Sequence, residues 1–94
     1  MKNYLLLHYG FEKPTQEIMD SWKNWFSAIA DKQVDRGGLR DGTEFSHSGA
    51  REIPFDQDSI TGYTIIEAEN LQDAREIASE CPVVKSTRVY EIQR

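Results

Sequence analysis

The chain has 94 residues, with 16 acidic and 11 basic side chains and a net charge of −5 at pH 7. This balance disfavours nucleic acid as a partner, because a phosphate backbone repels an acidic protein that has no basic patch. A hydrophobic content of 38% suffices for a packed core and argues against disorder. No apolar run is long enough to cross a bilayer, so no membrane partner is expected either.

The length predicts one domain, spanning residues 1–94. The single cysteine, Cys81, excludes an intrachain disulfide and fits a reducing compartment. The first residues lack the basic region and the small-residue cleavage site of a signal peptide. We therefore predict a cytoplasmic protein.

The first predicted element is a buried strand over residues 3–9, which are apolar and aromatic-rich and end at Gly10. Pro14 and Thr15 then predict the start of a helix, with Thr15 as the N-cap. The helix is predicted to end near Val34, before a glycine pair. Its apolar positions recur at helical spacing: Ile18, Trp22, Trp25, Phe26 and Ile29.

The middle of the chain carries weaker signals. Residues 35–42 predict a turn-rich loop. Residues 43–49 alternate weakly and are compatible with a strand. Residues 51–59, which include Pro54, predict a loop or a strand edge.

The last third of the chain is clearer. Residues 60–68 are rich in isoleucine, threonine and tyrosine and give the strongest strand signal. Asn70 is the predicted N-cap of a second helix, which Pro82 terminates. Residues 87–93 alternate as a final strand.

The order strand, helix, strand, strand, helix, strand predicts an α+β fold of ferredoxin-like βαββαβ type, with an antiparallel sheet and two helices on one face. Both faces of the first strand are apolar: Leu5 and Leu7 point one way, Tyr4 and Leu6 the other. Two helices cover only one face, and an uncovered face normally carries polar residues. The sequence therefore predicts a homodimer, in which two sheets form a dimeric α+β barrel. The alternative is a long loop, residues 49–59, folded over the sheet.

Residues 62–74, Gly-Tyr-Thr-Ile-Ile-Glu-Ala-Glu-Asn-Leu-Gln-Asp-Ala, resemble a stretch of YCII-related proteins. Cys81-Pro82 resembles the Cys-Pro of the branch named for its Asp-Gly-Pro-Phe motif, the DGPF-domain family. Residues 2–7 and 14–22 also fit. The resemblance implies the ferredoxin-like fold and the dimeric barrel, for a single YCII-like domain.

Two departures from the family pattern concern its chemistry. The Asp-Gly-Pro-Phe motif is replaced by Glu52-Ile53-Pro54-Phe55. YCII proteins with a proposed His–Asp catalytic pair carry the histidine in the first helix and the aspartate before the later proline. Here the first helix has no histidine and Cys81 precedes Pro82, so that pair is not implied for this chain.

Three residues are candidates for catalysis. His8 ends an apolar strand, where an imidazole acts as a base near neutral pH or is held by hydrogen bonds at the sheet end. Glu52 occupies the acidic position of the altered motif, either buried with a raised pKa or exposed beside Arg51. Tyr63 is the third candidate, as a partner of His8.

The candidate ligand-binding residues are His8, Trp22, His47, Phe55 and Tyr63. The aromatic stripe that contains Trp22 is typical of a core, unless the helix stands off the sheet and forms a pocket for a flat ligand. His8 and His47 lack a third ligand at a recognisable spacing, so no metal site is predicted. No cofactor is predicted.

The sequence supports three functions. The first is binding of a small organic molecule between sheet and helices. The second is a small lyase or isomerase acting on an acidic ring or lactone, with His8 and either Glu52 or Tyr63, an analogy at the level of the fold. The third is an interaction or regulatory module without a pocket. A cavity reached by His8 favours the first two functions over the third.

Overall fold

A computed structural model describes residues 1–93 and shows two helices and six strands. The elements follow in the order β1 (Lys2–Tyr9), α1 (Gln16–Ala28), β2 (Gln33–Gly38), β3 (Thr43–Ser46), β4 (Gly49–Glu52), β5 (Ile60–Ala68), α2 (Leu71–Ser79) and β6 (Ser86–Glu91). Among the described residues, neither helix has the length and apolar character needed to span a membrane.

Four strands form one antiparallel sheet in the order β2-β5-β1-β6. This is the ferredoxin-like α+β arrangement, and it confirms the predicted fold class. β3 and β4 pair only with each other and form a separate two-stranded hairpin between β2 and β5. Every residue of these two strands is exposed.

Both helix starts follow the predicted capping chemistry. The Thr15 side chain accepts a hydrogen bond from the backbone amide of Ile18, and the Asn70 side chain accepts one from the amide of Asp73. Each cap satisfies an amide that the first helical turn leaves without a partner.

Two predicted elements need correction. The first helix ends at Ala28 and not near Val34. The second strand of the chain is Gln33–Gly38, which overlaps the end of the predicted helix and the start of the predicted turn-rich loop. Residues 43–49, compatible with a strand, do contribute one, but it belongs to the hairpin and not to the main sheet.

The core lies between the helices and one face of the sheet. It contains nine buried residues: Tyr4, Leu6, Trp25, Ile29, Ile66, Ala68, Ala74, Ala78 and Cys81. The indole nitrogen of Trp25 donates to the Ile77 carbonyl at 3.2 Å and so links α1 to α2.

The opposite sheet face is apolar, and neither helix packs on it. Strand alternation and register place five apolar or aromatic side chains there, beside the charged Asp35 and Arg88. We call the five the open face: Leu5, Leu7, Tyr63, Ile65 and Tyr90. Four of the five are half-buried in the single chain, namely Leu5, Leu7, Tyr63 and Ile65, whereas Tyr90 is 49% exposed. This arrangement agrees with the two apolar faces predicted for β1.

Candidate ligand-binding site

A cavity of about 930 Å³ lies between α1 and the β2 side of the sheet. α1 contributes Trp22 and Phe26 to its wall, and the end of β1 contributes His8. Trp22 is able to line the cavity because Trp25, three residues later, fills the core beside it. The two roles of the aromatic stripe, core and pocket wall, are thus divided between neighbouring tryptophans.

Four of the predicted ligand-binding residues line this cavity: His8, Trp22, Phe55 and Tyr63. The hairpin carries the other candidates, His47 and Glu52, and both are exposed and outside the cavity wall. Arg51, the expected partner of Glu52, instead pairs with Glu44 at 2.6 Å.

His8 is buried and its two ring nitrogens face hydroxyl groups on both neighbouring strands. Nδ1 lies 3.1 Å from Thr87 Oγ1 on β6, and Nε2 lies 3.0 Å from Thr64 Oγ1 on β5. Burial lowers the pKa of His8 to about 4, because removal from water disfavours the charged imidazolium. His8 is therefore neutral at pH 7, with one nitrogen donating and the other accepting.

Cys81 contacts one of the two threonines that hold His8. Its Sγ lies 3.4 Å from the Thr87 hydroxyl, which itself contacts His8. Burial raises the pKa of the Cys81 thiol, so the sulfur stays protonated and packs as a small apolar group. Cys81 is thus part of the core packing.

The ring of His8 also meets the aromatic wall of the cavity. Its centroid lies 5.1 Å from that of Trp22 and 6.0 Å from that of Trp25, both in edge-to-face geometry. The Trp22 and Phe26 rings are 5.6 Å apart. Aromatic side chains of this kind suit contact with a planar ligand.

Tyr63 contributes to the cavity wall, but strand alternation directs its side chain to the open face, opposite to His8. Its hydroxyl donates to Asp35 Oδ2 at 2.9 Å, and this hydrogen bond raises the pKa of Tyr63. Gly37 makes the contact possible, because a Cβ at that position would lie 2.7 Å from the Tyr63 ring. The structure therefore does not bring the hydroxyl of Tyr63 to the imidazole of His8.

The structure adds polar residues that the sequence did not single out. Thr64 and Thr87 hold His8, and Gln33 and Arg36 line the cavity from β2. Thr64 had a sequence signal, since it is a polar residue in an otherwise apolar row of β5. Arg36 had no such signal, because the region that contains it was predicted to be a loop.

Charged groups on the wall are few. They are Glu12, Lys23 and Arg36, two positive and one negative, which gives the lining a formal charge of +1. Within residues 1–93, no three histidine, cysteine or acidic side chains are grouped as a metal site requires.

A solved structure supports the fold. The chain is similar to the 5-chloro-2-hydroxyhydroquinone dehydrochlorinase TftG from Burkholderia phenoliruptrix, in its complex with 2,5-dihydroxybenzoquinone. The two share 15% sequence identity with a TM-score of 0.60, over 97% of this chain and 93% of the dehydrochlorinase. No protein-family model matches the sequence, and no curated protein matches it.

Proposed function

We propose that this chain is a single YCII-like domain of the DGPF type, spanning residues 1–94, that binds a small planar organic molecule between α1 and the sheet. The observation that carries the proposal is the cavity of about 930 Å³, which falls within the size range of small-molecule sites. Its aromatic wall at Trp22 and Phe26 suits a flat ring. The neighbouring fold, that of a dehydrochlorinase in complex with a dihydroxybenzoquinone, supports the same choice of ligand shape.

The proposed working form is a cytoplasmic homodimer joined through the open face. Leu5, Leu7 and Ile65 form an apolar surface there that water would otherwise meet. A second copy of the same sheet is a self-complementary cover for it.

The second candidate is a lyase or isomerase reaction centred on His8, as proposed from the sequence. Its support is that His8 lines the same cavity as Trp22 and that the neighbouring fold belongs to a dehydrochlorinase. The placement of Glu52 in the hairpin favours His8 over any His–Glu pair. A substrate-dependent rate that His8→Gln abolishes, with ligand binding retained, would select this candidate.

The binding proposal is tested by thermal-shift and calorimetric titration with planar aromatic compounds, including hydroquinone and 2,5-dihydroxybenzoquinone. A ligand at about 100 times its dissociation constant stabilises a fold by roughly 2.7 kcal/mol. For a domain of this size, we expect a rise in melting temperature on the order of ten degrees.

The variant Ser27→Phe places a ring at an exposed α1 position on the cavity wall and is expected to abolish binding. Asn24→Phe is the matched control, since Asn24 is an exposed α1 residue outside the wall. Equal ligand shifts in both variants would contradict this site. The absence of any shift with wild-type protein would favour the interaction module without a ligand.

A further inference from the structure

β2 presents two polar side chains to the cavity through an irregularity in its pairing. Gln33 lies opposite Ile66 and Arg36 lies opposite Thr64, with a register shift between Gln33 and Asp35. Ile66 and Thr64 both face the helices, so Gln33 and Arg36 do as well, although residues three apart on a regular strand face opposite ways. This is a β-bulge, a feature that redirects side chains and is frequent beside functional sites.

Arg36 carries a positive charge that has no carboxylate partner within residues 1–93. Its guanidinium carbon lies 4.0 Å from the centroid of the Phe26 ring, so the aromatic face fixes the plane of the group. The N–H donors at the edge of a stacked guanidinium remain available, and they match a carboxylate or a similar oxyanion. The lining around Arg36 is net positive in a chain whose total charge is −5.

Gln33 supplies the complementary acceptor. Gln33 lines the cavity, and its side-chain oxygen is buried and has no hydrogen-bond partner among the described residues. Buried acceptors of this kind are rare, because they lose their bonds to water without replacement. A hydroxyl group on a ligand beside Gln33 would provide the missing donor once the side-chain amide rotates towards the cavity.

Building on the proposed binding function, we infer that the cavity selects planar aromatic acids that also carry a hydroxyl group. Arg36 binds the anionic group and Gln33 accepts the hydroxyl hydrogen. The two residues lie opposite positions two apart on β5, which is roughly 6.6 Å along the strand. This separation matches substituents at opposite ends of one ring, and Trp22 on the cavity wall contacts the ring itself.

Calorimetric titration with three probes tests the inference: 4-hydroxybenzoate, its neutral counterpart 4-hydroxybenzamide, and benzoate, which lacks the hydroxyl. We expect wild-type protein to bind 4-hydroxybenzoate about tenfold more tightly than either of the others, since each loses one directed hydrogen bond. Arg36→Met keeps an apolar stem over Phe26 and is expected to remove the preference for the charged probe. Arg36→Lys is expected to retain part of it.

Gln33→Met is expected to remove the preference for 4-hydroxybenzoate over benzoate without lowering the melting temperature, because it deletes an unpaired buried oxygen. Arg75→Met is the matched control for charge, because Arg75 is an exposed residue of α2 outside the cavity wall. This variant should bind all three probes as wild-type protein does.

Several results would overturn the inference. Equal wild-type affinity for 4-hydroxybenzoate and 4-hydroxybenzamide would do so while leaving the binding function in place. If Arg36→Met lost affinity for 4-hydroxybenzoate and 4-hydroxybenzamide equally, the inference would also be wrong, since Arg36 would then shape the cavity wall without binding the anionic group. Failure of wild-type protein to bind any probe, 2,5-dihydroxybenzoquinone included, would overturn both proposals.

Discussion

At the residue scale, hydrogen bonds on both sides hold His8 within the sheet. It occupies the central strand β1, and its ring nitrogens bridge Thr64 on β5 and Thr87 on β6. Both nitrogens are thus occupied, and the lowered pKa leaves the ring uncharged at pH 7. Of the two interpretations of His8 given from the sequence, a histidine held by hydrogen bonds in the sheet is the one that matches these contacts.

The lowered pKa of His8 predicts a loss of stability in mild acid. The unfolded chain takes up a proton at pH 6.5, whereas the folded chain resists it down to about pH 4. The free energy of unfolding therefore falls as the pH drops from 6.5 towards 4, by on the order of 3 kcal/mol in total. Urea titrations at pH 7.5, 6.0 and 5.0 measure this slope.

The His8→Gln variant keeps a polar group between the two hydroxyls but removes the titration, and we expect a shallower pH dependence between pH 7.5 and 5.0. His47→Gln removes the other histidine, from an exposed hairpin position, and serves as the control. An identical slope in wild-type and His8→Gln protein would show that other groups cause the acid sensitivity.

At the scale of elements, sequence predicted those whose signals are local. The caps at Thr15 and Asn70 and the strand Ile60–Ala68 were found because one side chain or one alternating run specifies each. The end of α1 was not predicted correctly, because it depends on the pairing of the following residues with β5. The Lys32 carbonyl accepts a hydrogen bond from the Glu67 amide of β5, which draws the chain into the sheet soon after Ala28.

The candidate site was recovered in part for the same reason. His8 and Trp22 belong to elements with clear periodicity, so their shared face was predictable. Arg36 and Gln33 depend on a bulge at Val34, an exposed valine whose apolar character suggested a continuing helix. No side-chain pattern in the sequence predicts that bulge.

The β3–β4 hairpin is predicted to be dispensable for folding and ligand binding. The Ile53 amide donates to the Gly42 carbonyl at its base, so residues 43–52 can be replaced by Asn-Gly, which favours a tight turn. Because no residue of β3 or β4 is buried, we expect the free energy of unfolding to change by less than about 1 kcal/mol. Denaturant titration measures this change.

The same shortened protein tests the remaining candidates, since it lacks both His47 and Glu52. Retained affinity for the aromatic probes would agree with the cavity described above. A loss of affinity, with the fold intact by circular dichroism, would place one of these two residues in the site.

At the scale of the whole molecule, the single chain leaves one sheet face without helices. A layered α+β domain normally buries one face of its sheet and solvates the other, so the apolar open face is an exception that calls for a cover. The proposed homodimer would supply this cover, with the cavity on the opposite side of the sheet.

Leu7→Glu is predicted to convert the dimer to a monomer, because it buries a carboxylate in the centre of the proposed interface without a partner. Light scattering coupled to size-exclusion chromatography should give twice the mass of one chain for wild-type protein and a single-chain mass for the variant. Phe45→Glu, at a hairpin position that is 82% exposed, is the control and should remain dimeric. A wild-type monomer would contradict the proposal.

The contacts of His8 also have an evolutionary consequence. Replacing His8 alone by an apolar residue would leave the Thr64 and Thr87 hydroxyls without their imidazole partner, and replacing either threonine alone would orphan a ring nitrogen. Single changes at these positions are therefore costly, whereas a concerted change of all three to apolar residues is not. In diverging descendants of this chain, we expect positions 8, 64 and 87 to be inherited as a set and exchanged as a set.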